Sequence, residues 1–550
     1  MFQKIIYRIN ILKKIRPYTT GVRKLFVINF FAAVTGLALE LLIPVFYSIF
    51  IEKVILGGRI NFLIPVILAY ILIQLANSGI AFLRNYCRYR INNQVTVKMK
   101  EKILNNLLKR PFTDYEKINV SEQKMIIDDA VMKMCDFTNT QTVEYGINYC
   151  KMIILLGLLF VMEWHLSLIL VAAIPVSFWM NHIIGKKSKK NSDESWENDQ
   201  AMGAWIYASL NGWREIRALN LEEVCEKTFV KYAKEYSRLF IVWIEYWVAR
   251  VLIIPKIKDE FLMEFLLYFL GGILIYNGNI TIGGLLVFAL YYTQLTDTVQ
   301  KVVTADADLQ VNTTYYEKAM AAIEETVTEE YGKNKEIKSC DLAFENVSFS
   351  YDAKEGELLY NFSMEIKQGE RVGIVGESGK GKTTLLKLIV GMLKPAGGVI
   401  RFGGEKLSDL PIQLVHEKIG FVMQENMLFN TTIRENLLYG NDNATNEQMI
   451  QACKKAYIEE FIDSLQDGYE TVIGENGIKL SGGQKQRLVL ARLFLRDVDM
   501  IIFDEATSAL DQNAENMVQQ AISNIGRDKT IIVAAHRESS LRLCDRVIYL

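Results

Sequence analysis

The sequence predicts a two-part membrane protein, an all-α six-helix transmembrane domain followed by an α/β P-loop domain. Three observations lead there. Half of the 550 residues are apolar, and the excess lies in the first half of the chain. Six apolar spans, near 25–50, 62–83, 145–162, 166–184, 257–276 and 285–304, are mostly close to the ~20 residues that cross a bilayer. In the second half a glycine loop at 376–384, GESGKGKTT, stands between a short apolar run and an apolar helix pattern. Strand, glycine loop and helix in that order are the context a phosphate-binding loop requires. The division expected is 1–327 for the membrane domain, 328–339 for a polar linker and 340–550 for the soluble domain.

The start, MFQKIIYRINILKKIRPY, alternates apolar and basic residues without a long hydrophobic core or a small-residue cleavage site. It reads as an amphipathic helix on the inner membrane surface, not a secretory signal. Basic residues orient the spans. Seven Lys/Arg precede the first span, Arg84, Arg88 and Arg90 follow the second, and Lys186, Lys187, Lys189 and Lys190 follow the fourth. The intervening connections carry only Lys53 and Arg59, so both termini are expected to be cytoplasmic. The cytoplasmic connections after spans two and four run to about 60 and about 70 residues, too long for structureless loops. They read as extensions of the membrane helices that turn back at short crosspieces, near 111–116 and 211–216.

Span five is unusual. Counting twenty residues back from Asn277 puts Asp259, Glu260 and Glu264 inside the hydrocarbon zone, with Pro255 available to kink the helix. In span six, Gln294, Asp297 and Lys301 share a face. Intramembrane charge normally faces a bundle interior or a water-filled cavity. Two readings stand: a hydrophilic translocation path, or mutual neutralisation of Lys256–Glu260 and Asp297–Lys301 as i,i+4 pairs within a span that begins lower. The net charge of −1 offers no global field for nucleic acid, and seven cysteines without a CxxC pair read as free thiols.

In the loop at 376–384, Gly376, Gly379 and Gly381 let the backbone aim several N–H groups at one centre, and the following helix adds its positive end. Lys382 would reach outer phosphates and the Thr383 hydroxyl would ligate Mg²⁺. Gln424 follows a strand and is placed to touch both Mg²⁺ and an attacking water. The run 499–503 is a buried strand that delivers Asp504 and Glu505 at its end. Asp504 would hold Mg²⁺, and Glu505 would orient and deprotonate water. His536 ends another strand, placed to hydrogen-bond a γ-phosphate. Tyr351 either stacks on a nucleotide base or simply ends a strand. Ser481, Gly482, Gly483 and Gln484 open the helix KQRLVLARLFL and form a second anion-binding device. One nucleotide does not need two phosphate cradles from one chain.

GESGKGKT, Gln424, LSGGQ, IIFDEATSALD and His536 together resemble the ATP-binding cassette (ABC) family, every diagnostic motif being in order. The six spans resemble the fused membrane domain of ABC exporters, and TVIGE at 471–475 is similar to an exporter loop that touches the crosspieces. The resemblance implies half of an ATP-driven exporter in the cytoplasmic membrane, with two chains sandwiching two ATP molecules. Gly376, Glu377, Ser378, Gly379, Lys380, Gly381, Lys382, Thr383 and Thr384 of one chain would face Ser481 to Gln484 of the other. Tyr351 and Asp511 would complete the nucleotide site, Mg²⁺ would sit at Thr383, Gln424 and Asp504, and Glu505, His536 and Gln424 would serve hydrolysis. Intact Glu505 and His536 favour a homodimer.

Lys380 stands where the family usually has a small residue, and either adds charge near the phosphates or points outward. Asn476 replaces the arginine usual in the exporter loop. A further hairpin and helix are expected beyond Leu550. The ~24 residues before span one are too few for the peptidase domain of some peptide exporters. Within the exporter reading, Asp259, Glu260, Glu264 and Asp297 suggest a peptide or cationic amphiphile as cargo. A lipid or lipid-linked substrate is the alternative, and an ATP-gated sensor or channel is the reading outside transport.

Overall fold

The computed structural model describes residues 2–115, 118–325, 337, 339–351, 358–377, 379–424, 426–474, 477–504, 512–535 and 541–550. They divide into two units, Met1–Arg110 with Lys117–Val327, and Pro111–Glu116 with Thr328–Leu550.

The first unit is helical. Among the described residues, four helical runs are long and apolar enough to cross a membrane: Arg23–Leu56, Ile60–Leu108, Val120–Met162 and Trp164–Asn211. Predicted spans five and six are also helical, at Glu264–Tyr276 and Ile282–Val311, but carry more polar residues. The helix Leu63–Leu108 has 46 residues, which at 1.5 Å per residue is about 70 Å, more than twice the hydrocarbon thickness. The expected extensions below the bilayer are therefore helix. Ile174–Asn211 extends likewise for 38 residues.

Both crosspieces form. Pro111 precedes the short helix Phe112–Tyr115, whose Phe112 packs on the hydrophobic core of the second unit, with the Lys387 ammonium 4.8 Å from the centre of its ring. Gly212 precedes Trp213–Ala218, after which Asn220 takes a left-handed backbone (φ 52°) and the chain turns back. Asparagine tolerates that conformation better than most residues, which suits it to a helix end.

Pro255 does not break its helix. The backbone widens into π-type turns at Ala249–Ile253 and Lys256–Met263, which flank the proline. Such bulges relieve the clash that a proline ring makes with the preceding turn.

The N-terminal stretch forms the expected helix, Phe2–Ile15, and part of it is buried. Ile11 and Ile15 are buried in a protein core with Val95, Met99 and Phe137. Arg8 is 2% exposed. Its guanidinium lies 3.9 Å from the centre of the Tyr145 ring and donates to the Ala305 carbonyl at 2.9 Å. One face of the helix thus packs on protein, with Arg8 part of the core, while Ile6 and Ile9 stay exposed. A second core, higher in the bundle, joins Leu155, Leu159, Leu170, Phe288, Leu295 and Val299.

The second unit contains two sheets. An antiparallel sheet has the order β2-β1-β4-β5, from Leu342–Phe349 (β1), Leu359–Ile366 (β2), Gly397–Phe402 (β4) and Glu405–Lys406 (β5). A parallel sheet has the order β6-β7-β8-β3-β9, from Arg371–Val375 (β3), Ile419–Val422 (β6), Met500–Asp504 (β7), Thr530–Ala534 (β8) and Arg546–Tyr549 (β9). Every residue of β7 and β8 is buried, which is why those runs are continuously apolar and not alternating. Ligands of open α/β sheets bind outside the carboxyl ends of the strands. Here those ends carry the glycine loop after β3 and Asp504 on β7.

Candidate nucleotide site

Gly379 and Gly381 take φ values of 83° and 95°, a left-handed backbone that residues with a Cβ rarely adopt. Gly381 caps the helix Lys382–Ile389, so the loop arrives at a helix start with its N–H groups gathered. Lys382 is 5% exposed, and its ammonium donates to the Gly376 and Glu377 carbonyls at 2.8 and 3.1 Å. The side chain is thus folded over the loop that it would share with a phosphate.

The Thr383 hydroxyl donates to Asp504 Oδ1 at 3.3 Å across 121 residues of sequence. A hydroxyl and a carboxylate brought this close are hard oxygen donors of the kind Mg²⁺ prefers, with phosphate oxygens and water completing its shell. Tyr351 leaves its ring more than half exposed, while its hydroxyl lies 3.1 Å from Thr384 Oγ1. It is anchored to the loop's helix, and its ring meets that of Phe349 edge to face at 5.0 Å.

Gln424 is exposed beyond the end of β6, and no hydrogen bond joins it to Thr383 or Asp504. Glu377 and Lys380 are exposed at the loop. Ser378, Glu505, Asp511 and His536 lie outside the described residues, as does Asn476.

The helix Gly482–Arg496 starts with a reciprocal cap. Ser481 Oγ accepts from Gln484 N at 3.3 Å, and Gln484 Oε1 accepts from Ser481 N at 2.8 Å. Ser481 and Gly482 are exposed, and among the described residues no hydrogen bond joins this helix start to the glycine loop of the same chain.

A network unforeseen in the sequence supports this helix. Asn436 is fully buried. It donates to the Phe429 and Thr432 carbonyls and accepts from Phe429 N and from Arg492 on the Gly482–Arg496 helix. The only local signal was the capping box Thr432–Glu435, four residues from Asn436 at its start. Asn436→Ala strands several buried groups and is expected to destabilise the unit by about 1–3 kcal/mol. The check is the thermal midpoint, and a midpoint equal to wild type would show the network to be dispensable.

In the membrane unit neither i,i+4 pair expected as an alternative forms: Lys256–Glu260 and Asp297–Lys301 make no ion pair. Instead Lys258 pairs with its neighbour Asp259, both side chains being 14% exposed. Asp259 is therefore turned inward and neutralised, while Glu260, Glu264 and Asp297 are exposed in the single chain. A further intramembrane pair, Lys151 with Glu40, joins spans three and one, and Gln294 donates to the Glu40 carbonyl at 3.3 Å. Its sequence signal was a lone charge within each of two predicted spans.

Two family models match the chain: an ABC transporter transmembrane region over residues 26–299, and ABC transporter over 359–508. The chain is 29% identical over 506 residues to the ATP-dependent lipid A-core flippase of Chromobacterium violaceum, covering 90% of this chain and 86% of that protein. It is 28% identical over 542 residues to the leukotoxin translocation ATP-binding protein LktB of Mannheimia haemolytica, covering 97% and 75%. A bacterial Atm1-family ABC exporter solved with ATP bound superposes with a TM-score of 0.86 at 24% identity, covering 96% of this chain and 94% of that one. With its membrane region and its nucleotide-binding ATPase region fused in one polypeptide, the chain belongs to the ABC exporter family of ATP-hydrolysing, integral membrane transporters.

Proposed function

We propose that two copies of this chain form an exporter that moves a peptide or an amphiphilic, drug-like molecule across the cytoplasmic membrane by alternating access. Residues 1–327 form the membrane domain, 328–339 the linker and 340–550 the ATPase domain, which lies in the cytoplasm with both termini. The observation that carries the dimer is the exposure of two phosphate cradles, the glycine loop and the Ser481 helix start, which share no hydrogen bond among the described residues of the chain. A second copy turned head to tail brings one against the other with a nucleotide between.

In that site the loop 376–384 and Lys382 bind the ATP phosphates, Tyr351 offers its ring to the base, and Ser481 to Gln484 with Asp511 close the partner side. Thr383, Asp504 and Gln424 would hold Mg²⁺, which would neutralise charge on the phosphate oxygens. Glu505 takes the proton of the attacking water, and His536 donates to the γ-phosphate.

The cargo path rests on Glu260, Glu264 and Asp297. Charges at that depth cannot face lipid cheaply, so exposure in one chain means that a second copy or water covers them. Glu260→Gln with Glu264→Gln is expected to weaken the apparent affinity for a stimulating cationic peptide by roughly fivefold, about 1 kcal/mol. Unchanged stimulation across chemically different probes would remove this path. A second reading, a lipid or lipid-linked cargo, is favoured by the likeness to the lipid A-core flippase. ATP-dependent uptake into inside-out vesicles tests export itself, and its absence in active protein would favour an ATP-gated sensor or channel.

A further inference from the structure

Near the predicted ends of spans one, two and three, the membrane unit carries a small, open polar cleft. It is lined by Asn29, Ala81, Arg84, Asn85, Arg88 and Glu144 and has a volume of about 90 Å³. That is several times the ~10–15 Å³ that one water requires. Glu144 Oε1 accepts from Arg88 Nη1 at 3.2 Å and lies 3.9 Å from Arg84 Nη2. Two guanidiniums thus face one carboxylate, leaving one positive charge in excess. Arg84 Nε is buried with no hydrogen-bond partner, and Asn29 is 7% exposed. An orphaned guanidinium N–H beside an uncompensated charge is a donor set lacking its acceptor.

The depth is that of lipid headgroups. Arg84 directly follows span two, Glu144 directly precedes span three, and Asn29 lies near the start of span one. Tyr86 and Tyr89 on the same helix are exposed, at 48% and 66%, as interfacial aromatics are. Basic pockets between membrane helices at this level suit anionic headgroups.

We propose that Arg84 and Arg88 bind a phosphoryl anion here, carried by an anionic phospholipid or free as phosphate, with Glu144 as the internal carboxylate it competes against. Only the assignment of this edge to the cytoplasmic leaflet rests on the exporter reading. The purely structural role, an ion pair tying Leu63–Leu108 to Thr142–Met162, makes the opposite prediction for Glu144. Removing the competing carboxylate strengthens anion binding, whereas breaking a staple gains nothing.

The test uses the full-length protein in phosphatidylcholine nanodiscs with and without phosphatidylglycerol, and lipids retained on extraction are counted by native mass spectrometry. Preferential retention of phosphatidylglycerol is expected, falling about fivefold or more in Arg84→Gln/Arg88→Gln. It should persist in Arg84→Lys/Arg88→Lys and rise at least about twofold in Glu144→Gln. Inorganic phosphate added to phosphatidylcholine-only discs forms the second arm. Phosphate bound there through the same arginines, without a preference for phosphatidylglycerol, assigns the soluble source. Retention of neither probe, retention indifferent to the glutamine pair, or no rise in Glu144→Gln overturns the site. Vesicle uptake is scored separately, so failed uptake with intact lipid retention refutes the exporter and leaves the anion site standing.

Discussion

Replacing Glu505 by glutamine is expected to lower ATP turnover by about 10²–10⁴-fold, the range that a positioned general base supplies. An amide of the same shape still orients water but cannot take its proton. Binding is therefore retained while chemistry stops, and the two copies should remain closed on trapped ATP. Steady-state phosphate release measures the first effect. Nucleotide retained through gel filtration, together with cross-linking between copies, measures the second. Turnover within tenfold of wild type would refute the assignment of the base. β7 is buried throughout and ends on Asp504, at the same carboxyl edge of the sheet at which β3 leads into the glycine loop.

Lys382→Ala is expected to fail at an earlier step. The ammonium is the one cation of the loop that is buried, and it already rests on the Gly376 and Glu377 carbonyls. In the proposed site, removing it takes away the buried charge assigned to the phosphates, an expected loss of about 10²–10³ in turnover by comparison with other single stabilising donors. Unlike Glu505→Gln, this variant should not trap ATP, because the missing group acts on bound and reacting phosphate alike. Equilibrium binding of a fluorescent ATP analogue separates the two variants. Wild-type affinity in Lys382→Ala would remove the lysine from the phosphate site. Measured together, the pair places one residue in binding and the other in chemistry.

Much of this arrangement is legible along the chain because it is local. Apolar length locates the helical runs that contain the spans, and strand, glycine loop and helix are contiguous in sequence. The crosspieces were legible too, since Pro111 and Gly212 interrupt otherwise helical patterns. What could not be read is pairing between distant helices. Lys151 and Glu40 are 111 residues apart, and periodicity along either helix says nothing of the other. Arg8 looked like a membrane-surface charge because its aromatic and acidic neighbours, Tyr145 and Asp306, come from two other helices. The Lys256–Glu260 pair in span five failed for a local reason, whereas Asp297–Lys301 sits in the regular helix Ile282–Val311 and nothing in the structure explains its absence. Around Pro255 the helix widens to π-type turns, so the spacing of four no longer stacks side chains one above another there.

The position of β8 constrains how the site can come into being. It lies between β3 and β7, yet it is made after both. The glycine loop and Asp504 are synthesised first but have no shared sheet until residues 530–534 pair on both sides at once. Parallel pairings of this kind close long loops and are slow to form. A chain leaving the ribosome therefore carries both halves of its Thr383–Asp504 contact before it can join them. Nucleotide binding reports the last insertion in this sheet's assembly, and a nascent chain halted before β8 should be blind to ATP.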